Sequence, residues 1–514
     1  MSKTIIIIGA GLAGLSAALQ AAENGCNVKL VSFLPSERAQ SVMAEGGINA
    51  ALNTKDENDS PEEHFTDTIK AACGLADPNA VWGMTQAAPE LVHWLLKLGV
   101  KFNMSGYDDV DLRNFGGQKK KRTAFAQSDT GKQIMTAMID AVRRKEAFGM
   151  VERFSHHSFL TLRLCGNICC GCVIRDEYSQ ETVELPGDAV IVATGGMHGL
   201  FGNTTGSLSN TGEVTAELFR LGVPLANGEM IQYHPTTVKC GGKRMLISEA
   251  ARGEGGRLFA MKDGKQWYFM EEKYPELGNL MPRDITAREI WKVSHESEVF
   301  LDMTEISEEI ISNKLSGLAD DCMTYLHKDI RKEPVSVLPG IHYFMGGILV
   351  DEQHRTPIQN LCAAGECCAQ YHGANRLGGN SLLGALYGGR VAAKSACEQA
   401  DVVDLSCATQ IDFPPASQIS EIKQLNKVMQ ETMGVVRNEN TLLNGIQTVQ
   451  ALTGNLPLLG MAVLKSALAR KESRGAHWRE DYPKSNDDDY LKTTVARFDG
   501  KQIQISFVPV PERR

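Results

Sequence analysis

The residues from Thr4 to Ile8 form a β-branched apolar run that leads directly into Gly9-Ala10-Gly11-Leu12-Ala13-Gly14 and then into the helical stretch LSAALQAAENG, ending at Gly25. Strand, glycine-rich turn and helix in that order leave few folds open. A second strand, NVKLVSF, follows and completes a βαβ unit. Gly9, Gly11 and Gly14 fit a dinucleotide-binding turn. The first allows the sharp reversal, the second lets backbone approach a pyrophosphate, and the third lets the helix pack closely on the strand. The pyrophosphate is expected at the helix N-terminus, where unpaired N–H groups converge. The second strand ends at Ser32 and Phe33, so the acidic ribose ligand usual at this place is missing or replaced.

Two later segments read as further strands of the same domain: DAVIVATGG (Asp188 to Gly196) and NLCAAGE (Asn360 to Glu366). Each reaches glycine where backbone can pass a cofactor. A nucleotide-binding chain that returns so late is not a simple nicotinamide module. Residues 236–344 mix helices, charged loops and turn signals and are expected to be an inserted second domain. Residues 1–235 and 345–400 then form the nucleotide-binding domain in two parts, with the site expected in the cleft. From 401 to 514 the stretches SEIKQLNKVMQETM, NGIQTVQALTGN and GMAVLKSALARKE read as a helical appendage, closing on a short strand, QIQISFVPV.

Composition narrows the class. The 53 Lys and Arg against 62 Asp and Glu leave a net charge of −9, which disfavours a nucleic-acid partner. The run Lys119-Lys120-Lys121-Arg122 is expected to be a solvated loop. No charge-free apolar run is long enough to span a bilayer and no export signal precedes the first strand. A cytoplasmic location is expected, with any membrane contact made through partners. In that setting the 13 cysteines are expected to be reduced thiols. Cys165, Cys169, Cys170 and Cys172 lie in LCGNICCGCVIRD, whose apolar content and central glycine read as a hairpin rather than a metal cluster. Cys362, Cys367 and Cys368 lack four-ligand spacing, so no iron–sulfur centre is expected in this chain.

Four stretches group polar residues with glycine in a way that core packing does not explain. QYHPTT carries His234 and Thr236; ISEAARGEGGRL carries Ser248, Glu249 and Arg252; MPRDITARE carries Arg283; HYFMGG with HGANRLGGNSLL carries His342 and Arg376. Singly each reads as structural. Together, histidines and arginines beside glycine-rich text point to a pocket for a small dianion, since a guanidinium grips a carboxylate with two hydrogen bonds.

The segments AEGGINAAL, DSPEEHF, FGGQKKKRTAFAQSDTG, QYHPT, SEAARGEGG, PRDITARE, HYFMGGI, HGANRLGGNSLL and SRGAHWREDYP together resemble the flavoprotein subunit of succinate dehydrogenase and fumarate reductase. They occur in family order and cover nearly the whole chain. The EEKYP stretch and Gly388-Gly389 are most similar to the menaquinone-linked members. The resemblance implies an α/β fold: a Rossmann-like FAD-binding domain, an inserted α+β capping domain and a C-terminal helical domain. It implies FAD held by Gly9, Gly11, Gly14, Ser32, the turn with Ala44, Gly46 and Gly47, then Thr194, Gly195, Glu366, Arg376, Ser381 and Leu382. One carboxylate of fumarate or succinate would be gripped by His342 and Arg376 and the other by His234, Thr236 and Ser248. In the family the arginine matching Arg283 delivers a proton while flavin N5 delivers hydride, and Glu249 with Arg252 would resupply that proton. An arginine acid is workable where the proton leaves only as carbanion charge develops in a dry site.

One departure stands out. Membrane-bound members carry a histidine bonded covalently to the flavin at the position of Gln40, so FAD is expected to be non-covalent here and fumarate reduction favoured over succinate oxidation. SRGAHWREDYP implies an iron–sulfur partner, and through it a membrane quinone-reactive subunit or a soluble donor. L-Aspartate oxidase, a related enzyme, shares the HPT, PRD and HGANR text and also lacks that histidine, but FMGG after HY and the stretch RLGGNSLL look like the reductases.

Overall fold

The fold comes from a computed structural model, which describes residues 2–106, 109–399, 408, 410, 411, 413 and 418–514. Strand β1 (Thr4–Ile8), helix α1 (Leu12–Glu23) and strand β2 (Asn27–Ser32) occupy the expected places. β1 is central in a five-stranded parallel sheet whose order is Leu361–Ala363, Ala189–Val192, β1, β2, Val151–Ser155. Ile8 is level with both Val31 and Val192, so three strand ends and the glycine turn share one edge. Ile5 to Ile8 are buried, as suits a parallel sheet covered on both faces. The segment after Val192 leaves the sheet: Thr194 and Gly195 lie beyond its end, with Gly195 at φ +74°.

Helix α1 is buried from Leu12 to Ala22, as an apolar helix must be when it has no wet face. Helix Asn380–Gln399 packs against it, and glycine permits the contact: a Cβ on Gly389 would sit 2.3 Å from the Ala13 carbonyl oxygen. The Ser16 hydroxyl donates to the Leu386 carbonyl at 2.7 Å across the same seam. Gly14 is required by packing, because a Cβ there would lie 1.8 Å from the Gly9 carbonyl oxygen.

The inserted region carries two antiparallel sheets. One is Lys243–Leu246, Ile231–Cys240 and Leu338–Phe344; the other is Lys265–Trp267, Arg257–Lys262, Val299–Asp302 and Val335–Ser336. The division expected between 235 and 236 falls inside strand Ile231–Cys240, and the one at 400/401 lies outside the described residues. Helices Ile419–Thr432, Glu439–Val449 and Asn455–Ala469 share a core with Phe201, Phe219 and Ile231. The C-terminal region does not stay helical, however. Strand Lys492–Phe498 pairs with both Ile503–Pro509 and Leu225–Ala226, tying the tail into a sheet of the main body.

Two further expectations need correction. Arg122 is fully buried and pairs with Asp59 at 2.8 Å and Asp67 at 2.9 Å, while Lys119 and Lys121 are exposed. The solvated loop is therefore real only for the lysines, because a buried guanidinium must be neutralised. The cysteine-rich stretch is a hairpin, His157–Cys165 against Ile168–Asp176, with Cys169 and Cys172 in an apolar core where burial pushes both thiols up. Cys165 is disulfide-bonded, so the cysteines are not all free thiols. Among the described residues no helix is long and apolar enough to cross a membrane.

Candidate active site

A cavity of about 650 Å³ opens where β1, β2 and Ala189–Val192 end. Gly9, Gly11, Ser32, Thr194 and Gly195 line one part, with Ala44, Gly46 and Gly47. Helix α1 begins at Gly11 without a side-chain cap, and the Leu12 N–H meets the Ser41 hydroxyl at 3.2 Å. Gly47 has φ +132° and a Cβ there would lie 2.5 Å from the Ala124 carbonyl oxygen, so the turn tolerates no side chain. Arg113 braces that turn, donating to the Glu45 and Gly46 carbonyls at 2.9 Å each. Ser32 Oγ is buried and lacks a partner among the described residues. An orphan hydroxyl at the end of β2 is the kind of group that a ribose hydroxyl satisfies. The residues present therefore fit a dinucleotide.

The other end of the cavity is charged. Arg283 opens helix Arg283–Val293, and Glu249 opens the short helix Glu249–Gly253, for which Ser248 is the N-cap. Arg283 Nε and Nη2 donate to one oxygen of Glu249 at 2.8 and 2.6 Å, and Nη1 donates to Gln232 at 3.2 Å. The second oxygen of Glu249 accepts from the Gly116 N–H at 3.1 Å and lies 3.4 Å from Arg252. Burial pushes the Glu249 carboxyl up, but Arg283 and Arg252 outweigh it and hold the group low, as a carboxylate.

Arg376 differs from these. It is 3% exposed and its guanidinium stacks 4.3 Å from the Tyr343 ring centre. Among the described residues it has no ion pair and donates no side-chain hydrogen bond, and its buried Nε is unsatisfied. Burial, with Arg283 adding repulsion, lowers it to about 9. The His234 and His342 rings meet edge to face at 5.2 Å, and burial with Arg283 nearby depresses both well below the usual imidazole range. Both are neutral near pH 7. Burial also raises Glu366 to about 7, which weakens it as a counter-charge. Arg252, Arg283 and Arg376 thus face essentially one firm carboxylate, Glu249. A buried cavity with surplus cationic charge is built for an anion.

Comparison with known proteins names the family. Residues 4–382 match the FAD binding domain family and residues 452–513 the fumarate reductase flavoprotein C-terminal family. The chain is 38% identical to the succinate dehydrogenase flavoprotein subunit of Bacillus subtilis, with 100% of this chain and 98% of that protein covered. It is 32% identical to the 8-methylmenaquinol:fumarate reductase flavoprotein subunit of Wolinella succinogenes, covering 100% and 92%. An E. coli quinol fumarate reductase FrdA structure superposes with a TM-score of 0.90 at 27% identity, covering 99% of this chain and 97% of that one. The chain belongs to the succinate dehydrogenase/fumarate reductase flavoprotein family. It is an FAD-dependent oxidoreductase, and FAD is its cofactor.

Within this flavoprotein the structure brings most of the expected residues to one cavity: His234, Ser248, Glu249, Arg283, His342, Glu366, Arg376, Ser381 and Leu382 all line it. Arg252 and Thr236 do not. Arg252 stands behind Glu249, donating to the Asn279 carbonyl at 2.6 Å, a place that suits a relay. Thr236 is fully buried and its hydroxyl donates to the Ile247 carbonyl at 2.8 Å. Thr236 thus supports the strand and His234, whose Nδ1 lies 3.1 Å from the Thr236 carbonyl oxygen. Gln40 lies on the cavity wall in the turn Gln40–Met43. Sequence reading missed Gln232, which joins Arg283 to the Asn375 side chain at 2.9 Å and the Arg376 carbonyl at 2.8 Å. Its place two residues before His234, on the same side of a strand, was the available signal.

Proposed function

We propose that this flavoprotein interconverts fumarate and succinate, with Arg283 as proton donor, FAD held non-covalently and fumarate reduction the favoured direction. The observation that carries the reading is the buried surplus of guanidinium charge around a single ionised carboxylate. When bound, FAD supplies hydride exchange with carbon. Arg376 and His342 take one carboxylate of the substrate; His234 and Ser248 take the other, with Thr236 holding His234. The Arg376 cation at one end, neutral donors at the other and Arg283 between them orient the substrate and stabilise charge that develops along it. Arg283 holds its proton at a guanidinium that Glu249 grips through two N–H groups; once that proton has passed to the substrate carbon, the Glu249 carboxylate would take up a proton by way of Arg252 and hand it to Arg283. Gln40 offers a carboxamide where covalent members carry imidazole, and a carboxamide is a poor nucleophile. Electrons pass to or from a separate iron–sulfur protein, through which the chain associates peripherally with a membrane.

The test is anaerobic. Chemically reduced holoenzyme mixed with fumarate should regain the oxidised flavin spectrum rapidly, and a spectrum that stays reduced with FAD bound overturns the assignment. L-Aspartate should leave the oxidised flavin unbleached; bleaching transfers the chain to the aspartate oxidase reading. Acid precipitation should release all FAD into the supernatant, whereas flavin retained in the pellet contradicts non-covalent binding.

A further inference from the structure

The cavity wall includes a loop residue that no motif indicates. The Thr205 N–H donates to the Ile341 carbonyl at 3.0 Å, pinning its loop to strand Leu338–Phe344. Its hydroxyl oxygen lies 2.8 Å from Nδ1 of His342 and 3.4 Å from the same Ile341 carbonyl oxygen. Nδ1 is the nearer acceptor, and the carbonyl already receives the backbone N–H. Among the described residues the other ring nitrogen of His342, Nε2, makes no hydrogen bond, and the ring lines the cavity. His234 differs, because its Nδ1 is met within its own strand by the Thr236 backbone, with the carbonyl oxygen at 3.1 Å and the N–H nitrogen at 3.3 Å.

A neutral imidazole carries one N–H, and which nitrogen bears it decides what the ring can do. With the proton on Nε2 the ring donates to a carboxylate in the cavity. With the proton on Nδ1 it presents a lone pair there and repels the same group. We infer that Thr205 is a positioning residue: by donating its hydroxyl proton to Nδ1 it holds His342 in the Nε2–H tautomer, and through it the grip on one end of the substrate. The consequence for substrate rests on the dicarboxylate reading; the tautomer does not.

The experiment therefore reads both. Nitrogen-15 spectra of histidine-labelled, ligand-free holoenzyme, assigned with His342→Gln, should place the His342 proton on Nε2. Thr205→Val should shift it toward Nδ1, and Thr205→Ser should restore it. Succinate binding, followed by perturbation of the flavin spectrum, should weaken about 10-fold in Thr205→Val, the scale of one hydrogen bond, while Thr205→Ser stays within about 2-fold of the native chain. Fumarate KM should rise with kcat nearly unchanged. A native His342 protonated on Nδ1 overturns the inference. So does a Thr205→Val protein that keeps both tautomer and affinity, or a Thr205→Ser protein that keeps FAD yet fails like the valine variant. Nε2–H in the native chain with no uptake of succinate or fumarate would remove the dicarboxylate reading and leave the tautomer assignment standing.

Discussion

Two regions of this molecule bury several arginines, and they treat them in opposite ways. Near the C-terminus, Arg470 meets Glu229 and Glu472 at 2.7 Å each, Arg474 meets Glu472 at 2.8 Å, and Arg479 meets Asp481 at 2.6 Å. The remaining N–H groups of Arg470 go to the Tyr490 and Lys492 carbonyls and the Thr494 hydroxyl. Each of these three guanidiniums has its carboxylate, while the equally buried Arg437 beside them donates to the Gly434 and Glu229 backbone carbonyls. At the cavity, Arg283 shares Glu249 with Arg252, which stands behind it, and Arg376 has only the face of Tyr343. Buried charge is tolerated when paired, so the balanced cluster ties the tail to the body and needs nothing else. On the proposed function, the unbalanced one is completed by the substrate's carboxylates.

The sharpest test of that contrast removes the proton donor. Arg283→Ala should lose about 1,000-fold or more in fumarate turnover with FAD still bound, as removal of a positioned acid does; normal turnover would show that the surplus charge serves binding alone. The next compares two buried arginines directly. Arg470→Met strands Glu229, leaving Glu472 to Arg474 alone, and should cost about 3–5 kcal/mol, read as a lower Tm or insoluble protein. Arg376→Met leaves no carboxylate stranded, so its Tm should hold or rise, while succinate no longer raises it as it does for the native chain. Equal losses of stability in the two variants would erase the distinction between the two regions.

Acid should act on the histidines of both regions. Burial holds His64 and His198 at about 3 and His354 at about 4, and depresses His234, His342, His372 and His477 well below the usual range. The unfolded chain takes up these protons near pH 6.5 and the folded chain refuses them, so stability present above pH 6.5 is lost as pH falls toward about 4. Glu45, raised to about 8, and Glu366, raised to about 7, act in the opposite sense: the folded state keeps protons that the unfolded state releases. The histidines outnumber them, and Tm should drop between pH 6.5 and 5.5; a flat or rising Tm would contradict the burial of neutral imidazoles. The smallest effect is expected at the basic loop. Lys121→Ala should change stability by no more than about 0.5 kcal/mol, whereas Arg122→Ala strands Asp59 and Asp67 and should cost several-fold more.

Legibility followed the range of the interactions. β1, α1 and β2 were readable because strand period, glycine turn and helix period are local. His234, Glu249, Arg283 and Arg376 were marked by their neighbours in short motifs, and all four line one cavity. Arg122 was misread because Asp59 and Asp67 lie more than fifty positions upstream, and no composition of the KKKR run reveals a partner that distant. The hydrogen bond made by Thr236 was hidden for a related reason. Its hydroxyl donates to the carbonyl of Ile247, just past the end of the adjoining strand Lys243–Leu246, a partner eleven positions away.

The sequence by itself determined the parallel nucleotide-binding unit, the late return of the chain to that sheet and the identity of the residues that carry charge into the cleft. These follow from periodicity, glycine placement and residue type, which act over a few positions. Only the tertiary structure decided how the charges balance. Glu249 is shared by Arg252 and Arg283, Arg376 is left without a carboxylate, and Thr205 reaches His342 from 137 positions away. Electrostatic surplus and tautomer depend on distances of a few ångströms between groups far apart in the chain, and folding alone sets those distances.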